Sequence, residues 1–237
     1  MSLKKPSEIG FEVPAAGRTT ALVYRSPEPR GQALVLAHGA GAPQQSGFLV
    51  GFARALTPLG IDVATFNFLY MEQRRKAPDR APLLEACYRA AIDAVARELD
   101  RDELFIGGKS MGGRIATQVA AADPSLAIDG VVLLGYPLHP PGRPDQRRDA
   151  HLPKVGRPML FVQGARDAFG TPEELIPIVR AIGASASIHI VDGGDHSFKL
   201  SRKDPAAEQV SIAVVVERIS EWMESVRASA RTRRRSG

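Results

Sequence analysis

A mostly parallel β-sheet with helices packed on both faces is the architecture this sequence predicts, on three observations. Short, predominantly apolar runs rich in Val, Leu, Ile and Phe alternate with longer amphipathic segments. Glycine, proline and aspartate punctuate the boundaries between them. The length of 237 residues is what one α/β domain occupies, and a chain of that size buries roughly 70–75% of its unfolded surface.

The apolar runs are Ala33–Ala37, Val63–Phe68, Leu104–Ile106, Val131–Leu134, Met159–Val162 and Ile188–Val191, and each suits a strand covered on both sides. Thr20–Tyr24 alternates more cleanly and is expected as an early edge strand. Between these runs the pattern predicts helices over Phe48–Leu59, Ala81–Leu99, Met111–Ala122, Pro172–Ile182 and Ala207–Arg227. Pro58 and Gly60 mark the end of the first helix, and Asp123-Pro124 closes the third. The stretch His139–Pro158, rich in Pro, Arg and Asp, is too short for a lid of several helices, so an open site without a cap domain is expected.

Composition excludes several classes. With 44% hydrophobic and 24% charged residues the chain is neither disordered nor fibrous. The net charge of +5 is matched by five arginines, Arg227, Arg231, Arg233, Arg234 and Arg235, that follow the last acidic residue, Glu224, so the remainder is formally neutral. This predicts one domain over residues 1–227 and a basic, frayed tail over 228–237, rather than a nucleic-acid-binding or membrane-binding face. Cys87 is the only cysteine, which precludes an intrachain disulfide, and its helical context predicts a small core residue. Lys4 and Lys5 precede no apolar stretch of signal-peptide length, and no run approaches 18 apolar residues. A cytoplasmic enzyme is the expectation.

The chemistry centres on Gly107-Gly108-Lys109-Ser110-Met111-Gly112-Gly113, which follows an expected strand and precedes an expected helix. Its core, Gly108-x-Ser110-x-Gly112, is the pattern of a serine lifted on a sharp strand-to-helix turn, where side chains two positions to either side would collide with neighbouring chain. A phosphate-binding loop would need glycine at position 103, which is Glu103. The bland alternative is a serine that only caps the helix.

A serine hydroxyl needs a base near pH 7, and imidazole suits that task. Of five histidines, His196 lies just after the final apolar run, where a loop at the strand's C-terminal edge can lean over the serine. His38 ends another strand before Gly39, and His139, His151 and His189 lie in the Pro-rich segment or mid-strand. A carboxylate must orient the ring. Asp167, which ends Gln163-Gly164-Ala165-Arg166-Asp167 after the run Met159–Val162, is favoured over Asp195, which adjoins His196 in sequence. Either aspartate can alternatively be a turn residue bonded to its own backbone.

Ser110, Asp167 and His196 occur in the chain order described for α/β-hydrolases. Through His38-Gly39-Ala40-Gly41, Gly108-Lys109-Ser110-Met111-Gly112, Gly164-Ala165-Arg166-Asp167 and Gly194-Asp195-His196 the chain resembles that superfamily over nearly its whole length. It looks closest to the small, lidless, dienelactone-hydrolase-like branch. Dienelactone hydrolases use a cysteine nucleophile, so the serine here does not carry their substrate over. The resemblance implies oxyanion donors at the backbone N–H of Met111 and, from the turn after Ala33–Ala37, of Ala40. No metal or organic cofactor is expected.

Tyr70, Met71, Phe169 and His139 belong to segments near the same edge and are candidate pocket residues for a small ester-type substrate. Arg74, Arg75 and Lys76 either attract an acidic substrate or form a solvated charge run. The expected activity is acyl-ester hydrolysis through an acyl-enzyme. The alternatives are thioester, peptide or carbon–carbon cleavage on the same fold, or a non-catalytic interaction protein that keeps it. Dehalogenation is disfavoured, because its nucleophile is normally an aspartate.

Overall fold

The computed structural model describes residues 5–200 and 205–235; Lys4 and the last two residues of the expected tail, Ser236 and Gly237, lie outside them. Eight strands form a single sheet in the order β1-β2-β4-β3-β5-β6-β7-β8. They are β1 (Ser7–Val13), β2 (Gly17–Tyr24), β3 (Gln32–Ala37), β4 (Ile61–Phe66), β5 (Glu103–Lys109), β6 (Gly130–Leu134), β7 (Met159–Gly164) and β8 (Ala186–Val191). From β3 onward every pairing is parallel, and β2 runs against both of its neighbours. The helices are α1 (Gly47–Leu56), α2 (Leu69–Glu72), α3 (Ala81–Glu98), α4 (Met111–Ala122), α5 (Pro172–Ile182) and α6 (Pro205–Arg235).

Alternation along the strands divides the core in two. Ala33, Val35 and Ala37 of β3 face a cluster with Leu84, Tyr88 and Ala91 of α3 and Ile115 and Val119 of α4. Leu34 and Leu36 point the other way, into a cluster with Leu49, Phe52 and Leu56 of α1 and Ile219, Trp222 and Met223 of α6. This is why the inner runs carry no polar face. No sizeable cap domain interrupts the sheet, and no described helix is long and apolar enough to cross a membrane.

Three sequence expectations are corrected. The alternating run Thr20–Tyr24 is not the edge: β1, whose side chains are mostly exposed, pairs outside it. The run Gly107–Lys109, expected within a turn, completes β5, so the strand-to-helix turn is Ser110 alone. The basic segment after Arg227 is not an irregular end. It continues α6 to Arg235, since no Gly or Pro interrupts the chain between Pro205 and that point and Ala and Arg favour helix. Arg227 anchors that helix to the domain by donating to the Arg30 carbonyl at 2.9 Å and pairing with Asp102 at 3.2 Å and Glu103 at 3.0 Å.

The chain leaves β3 toward β4 on one side and later returns to place β5 on the other. The C-terminal ends of β3 and β5 therefore splay their loops apart, which opens a crevice at that edge. Their register is fixed in part by Tyr88 of α3, wholly buried against β5. Its hydroxyl accepts from the Gly107 N–H at 2.9 Å and faces the carbonyls of Gly107 at 2.5 Å and Val35 at 3.1 Å. Tyr88→Phe would leave the Gly107 N–H without a partner, and urea unfolding is expected to show a loss of about 1–3 kcal/mol. Unchanged stability would mean that the hydroxyl does not matter to the strand.

Candidate active site

Ser110 stands between the last residue of β5 and the first of α4 with φ +51° and ψ −115°. A side chain other than glycine seldom adopts that conformation, and such strain persists where the surroundings over-determine it. Here the Ser110 N–H donates to the Leu134 carbonyl at 3.0 Å and its own carbonyl accepts from Arg114 N–H at 3.1 Å. The flanking glycines have a steric reason. A Cβ on Gly108 would overlap the Ala37 carbonyl oxygen, and one on Gly112 would overlap the carbonyls of Ala37 and His38. The first turn of α4 is thereby seated against the end of β3.

His196 and Asp167 meet across the loops after β8 and β7. The ring Nδ1 lies 2.7 Å from Asp167 Oδ2. Asp167 has no solvent exposure, and its carboxylate is nevertheless satisfied. Oδ2 also accepts from Gln163 Nε2 at 2.8 Å, and Oδ1 accepts from the Phe169 N–H at 2.9 Å. Gln163 is itself fixed, accepting from Tyr136 N–H at 2.8 Å and donating to Gly170 O at 2.8 Å. Asp195 plays no part in orienting the ring: its Oδ1 accepts from the backbone of Ser197 at 2.7 Å and Lys199 at 3.0 Å, holding the turn that carries His196.

The loop His38-Gly39-Ala40-Gly41 follows β3. His38 is fully buried, with Nε2 accepting from the Phe68 N–H at 3.1 Å and Nδ1 2.7 Å from the Gly39 carbonyl. The Tyr70 hydroxyl donates to the Ala40 carbonyl at 2.9 Å, so the Ala40 peptide is gripped from behind. The Ala40 N–H makes no hydrogen bond among the described residues. Met111, as the first residue of α4, has an N–H without an intrahelical acceptor.

Ala40, Met111, Ser110, His196 and Phe169 line one cleft of about 610 Å³, together with Arg114 and Arg148. Phe169 stacks on the His196 ring with centroids 4.3 Å apart. No direct hydrogen bond joins the Ser110 hydroxyl to His196 among the described residues, a contact that in unliganded enzymes often tightens only when substrate binds. A larger groove of about 1160 Å³ lies at the opposite edge, against Arg157 and Trp222, and its walls carry neither histidine nor cysteine.

Residues 30–224 match the model of an alpha/beta hydrolase domain family. This chain belongs to the α/β-hydrolase family. Solved structures similar to this α/β-hydrolase include a lidless α/β serine hydrolase of Xanthomonas campestris, at 19% identity and TM-score 0.72, covering 94% of this chain and 97% of that one. A dienelactone hydrolase of Anabaena variabilis aligns at 21% identity and TM-score 0.71, over 94% and 99% of the two chains. Est1E of Butyrivibrio proteoclasticus aligns at 14% identity and TM-score 0.70, over 95% and 100%. These likenesses concern the fold.

Three of the expected pocket residues of this α/β-hydrolase lie elsewhere. Tyr70 is buried because the short α2 turns it under the Ala40 loop, where it lies beside His38 and Phe68. Met71 is partly buried and packs against the core cluster that includes α3 and α4. His139 is buried beside Glu174, with Nε2 3.0 Å from its carboxylate and its backbone N–H donating to the Phe169 carbonyl at 3.0 Å, so it braces the segment that carries Phe169. Of the charge run, Arg75 pairs with Asp79 at 2.5 Å and Arg74 and Lys76 are exposed. Cys87 is buried in the core, and that burial pushes its thiol up to about 12, far from a reactive thiolate.

Gln163 and Lys109 position the site and were not singled out by sequence. The Lys109 ammonium donates to the His196 carbonyl and lies 5.2 Å from the Phe48 ring centroid and 5.7 Å from that of Phe198. Burial lowers it to about 8, against the opposing pull of Asp167 and Asp195. It was legible only as the variable position of the serine motif.

Burial also lowers His38, to about 4, against a smaller opposing pull from its hydrogen bond with the Gly39 carbonyl. The unfolded chain takes up this proton near pH 6.5, before the folded chain does. Stability is therefore complete above that pH and falls until about pH 4, with about 2 kcal/mol lost by pH 5. Urea unfolding between pH 7 and 4 should show this slope in the wild type and a shallower one in His38→Gln. Parallel curves would contradict the assignment.

Proposed function

We propose that this α/β-hydrolase is a serine hydrolase that cleaves small ester-type substrates through an acyl-enzyme. The observation that carries the reading is the His196–Asp167 hydrogen bond of 2.7 Å on a fully buried carboxylate, beside a strained Ser110 that opens into the same cleft. A ring bonded through Nδ1 keeps its proton there and leaves the Nε2 lone pair for a hydroxyl.

In this mechanism His196 Nε2 accepts the Ser110 Oγ proton as Oγ bonds to the substrate carbonyl carbon. The carbonyl oxygen becomes an oxyanion facing the N–H groups of Met111 and Ala40, at the positive end of α4. Collapse expels the leaving-group oxygen, which takes the proton from Nε2. Water then gives a proton to His196 and its hydroxide attacks the acyl carbon, releasing the carboxylic acid as the Ser110 oxygen recovers the proton. Every proton passes through one imidazole, and the chain's own residues supply the steps without a cofactor.

An ester fits better than a macromolecular substrate, because the cleft is open yet of small-molecule volume. The fold resemblance to an Anabaena dienelactone hydrolase and to Est1E supports an acyl-ester reaction without naming the acyl group. The test is a fluorophosphonate probe with intact-mass readout and peptide mapping. Wild type should gain one adduct, on Ser110, and lose hydrolysis of p-nitrophenyl acetate in proportion. Ser110→Ala should gain none and lose at least three orders of magnitude in kcat/KM. Well-folded wild type that neither labels nor hydrolyses would sink the proposal in favour of a non-catalytic fold.

A further inference from the structure

Two arginines, Arg114 and Arg148, are among the residues that line the cleft opening on Ser110, and the acids around them are already engaged. Arg114 is one helical turn beyond the serine on α4, half-buried, and its only hydrogen-bond partner for the guanidinium among the described residues is Gln118 at 3.3 Å. Arg148 comes from the irregular segment between β6 and β7, with its backbone held by the Leu138 carbonyl at 2.8 Å and the Tyr136 hydroxyl at 2.6 Å. Its guanidinium has no hydrogen bond or ion pair among the described residues.

The nearby carboxylates do not neutralise the pair. Asp79, on the cleft wall, is bonded to Arg75 at 2.5 Å and to the Tyr70 N–H at 3.0 Å. Asp149 pairs with Arg147 at 2.6 Å, and Glu85 pairs with Arg89 at 3.7 Å. Asp167 is turned toward His196 and Gln163. Burial, and next the Arg148 charge, hold Arg114 below the ordinary arginine range, against smaller opposing pulls from Tyr136 and Glu85. Two like charges facing one small space repel each other, and an arriving anion relieves that repulsion while it supplies acceptors for two planar forks.

Building on the serine-hydrolase reading, we propose that the substrate is a bifunctional ester whose second group is an oxyanion, a carboxylate or a phosphate monoester, bound between Arg114 and Arg148 while its ester carbonyl lies at Ser110. The anion then serves as the anchor that places the reacting carbonyl, and hydrolysis releases either a product with two acidic groups or an anionic alcohol. Attraction of such substrates would weaken with added salt.

The decisive variant is Arg148→Gln, because its guanidinium takes part in no hydrogen bond or ion pair among the described residues, and its folding is checked by circular dichroism and urea unfolding. The probes are the p-nitrophenyl half-esters of adipic and suberic acid, each compared with its methyl-capped, uncharged counterpart. The wild type should prefer at least one charged ester by tenfold or more in kcat/KM, and Arg148→Gln should bring that ratio to within threefold of unity. A preference that survives Arg148→Gln overturns the anion site, and a ratio near one in the wild type for both pairs overturns the carboxylate as its ligand. A second arm does not depend on hydrolysis: calorimetric binding of amide analogues of these esters ending in a carboxylate or in a phosphate monoester. At least one should bind tenfold more weakly to Arg148→Gln, and the tighter one identifies the anion; equal binding of both to the two proteins overturns the proposal. If neither ester is cleaved, or if Ser110→Ala still cleaves them, the serine-hydrolase reading fails and this binding arm decides the anion site by itself.

Discussion

The hydrogen bond between Asp167 and His196 is the constraint around which the site is organised. An ionised carboxylate without access to water costs several kcal/mol unless donors surround it, and each oxygen of Asp167 has at least one donor, from Gln163, Phe169 or His196. Those donors fix the direction of the lone pair that faces the imidazole. Phe169 stacks on the ring, while Lys109, bonded to the His196 backbone carbonyl, and Asp195, bonded to the Ser197 and Lys199 N–H groups, hold the loop that carries it.

Parallel strands explain why residues so far apart in sequence share one edge. The loops after β3, β5, β7 and β8 all leave from the same side of the sheet, so the Ala40 peptide, Ser110, Asp167 and His196 converge without a dedicated domain. Close backbone approach at Gly108 and Gly112 brings the start of α4 against the end of β3, and Gly39 of the following loop lies beside Ser110. Burial on both faces leaves these strands little freedom to shift.

Much of this was legible because it is periodic or tied to a motif. The inner strands announce themselves as apolar runs, and α4 and α5 have the bounds expected from their patterns. Ser110 stands in a spacing that sterics demand. What escaped was set by tertiary contact. β1 has an exposed outer row and few apolar residues, so only its pairing with β2 reveals it. Tyr70 and His139 come from segments near the right edge, but a single turn of helix and a Glu174 partner direct them into supporting positions. Arg148 lies in a stretch without periodicity, and only the fold brings it to the cleft.

The proposed chemistry requires one tautomer of His196, which long-range proton–nitrogen correlation NMR of the imidazole reports. With the ring neutral, the proton should reside on Nδ1 in slow exchange with water, leaving Nε2 bare toward Ser110, and Asp167→Asn should abolish that signature. A ring protonated on Nε2, or a rapidly averaging mixture of both tautomers in the wild type, would contradict the arrangement from which the proposed chemistry follows.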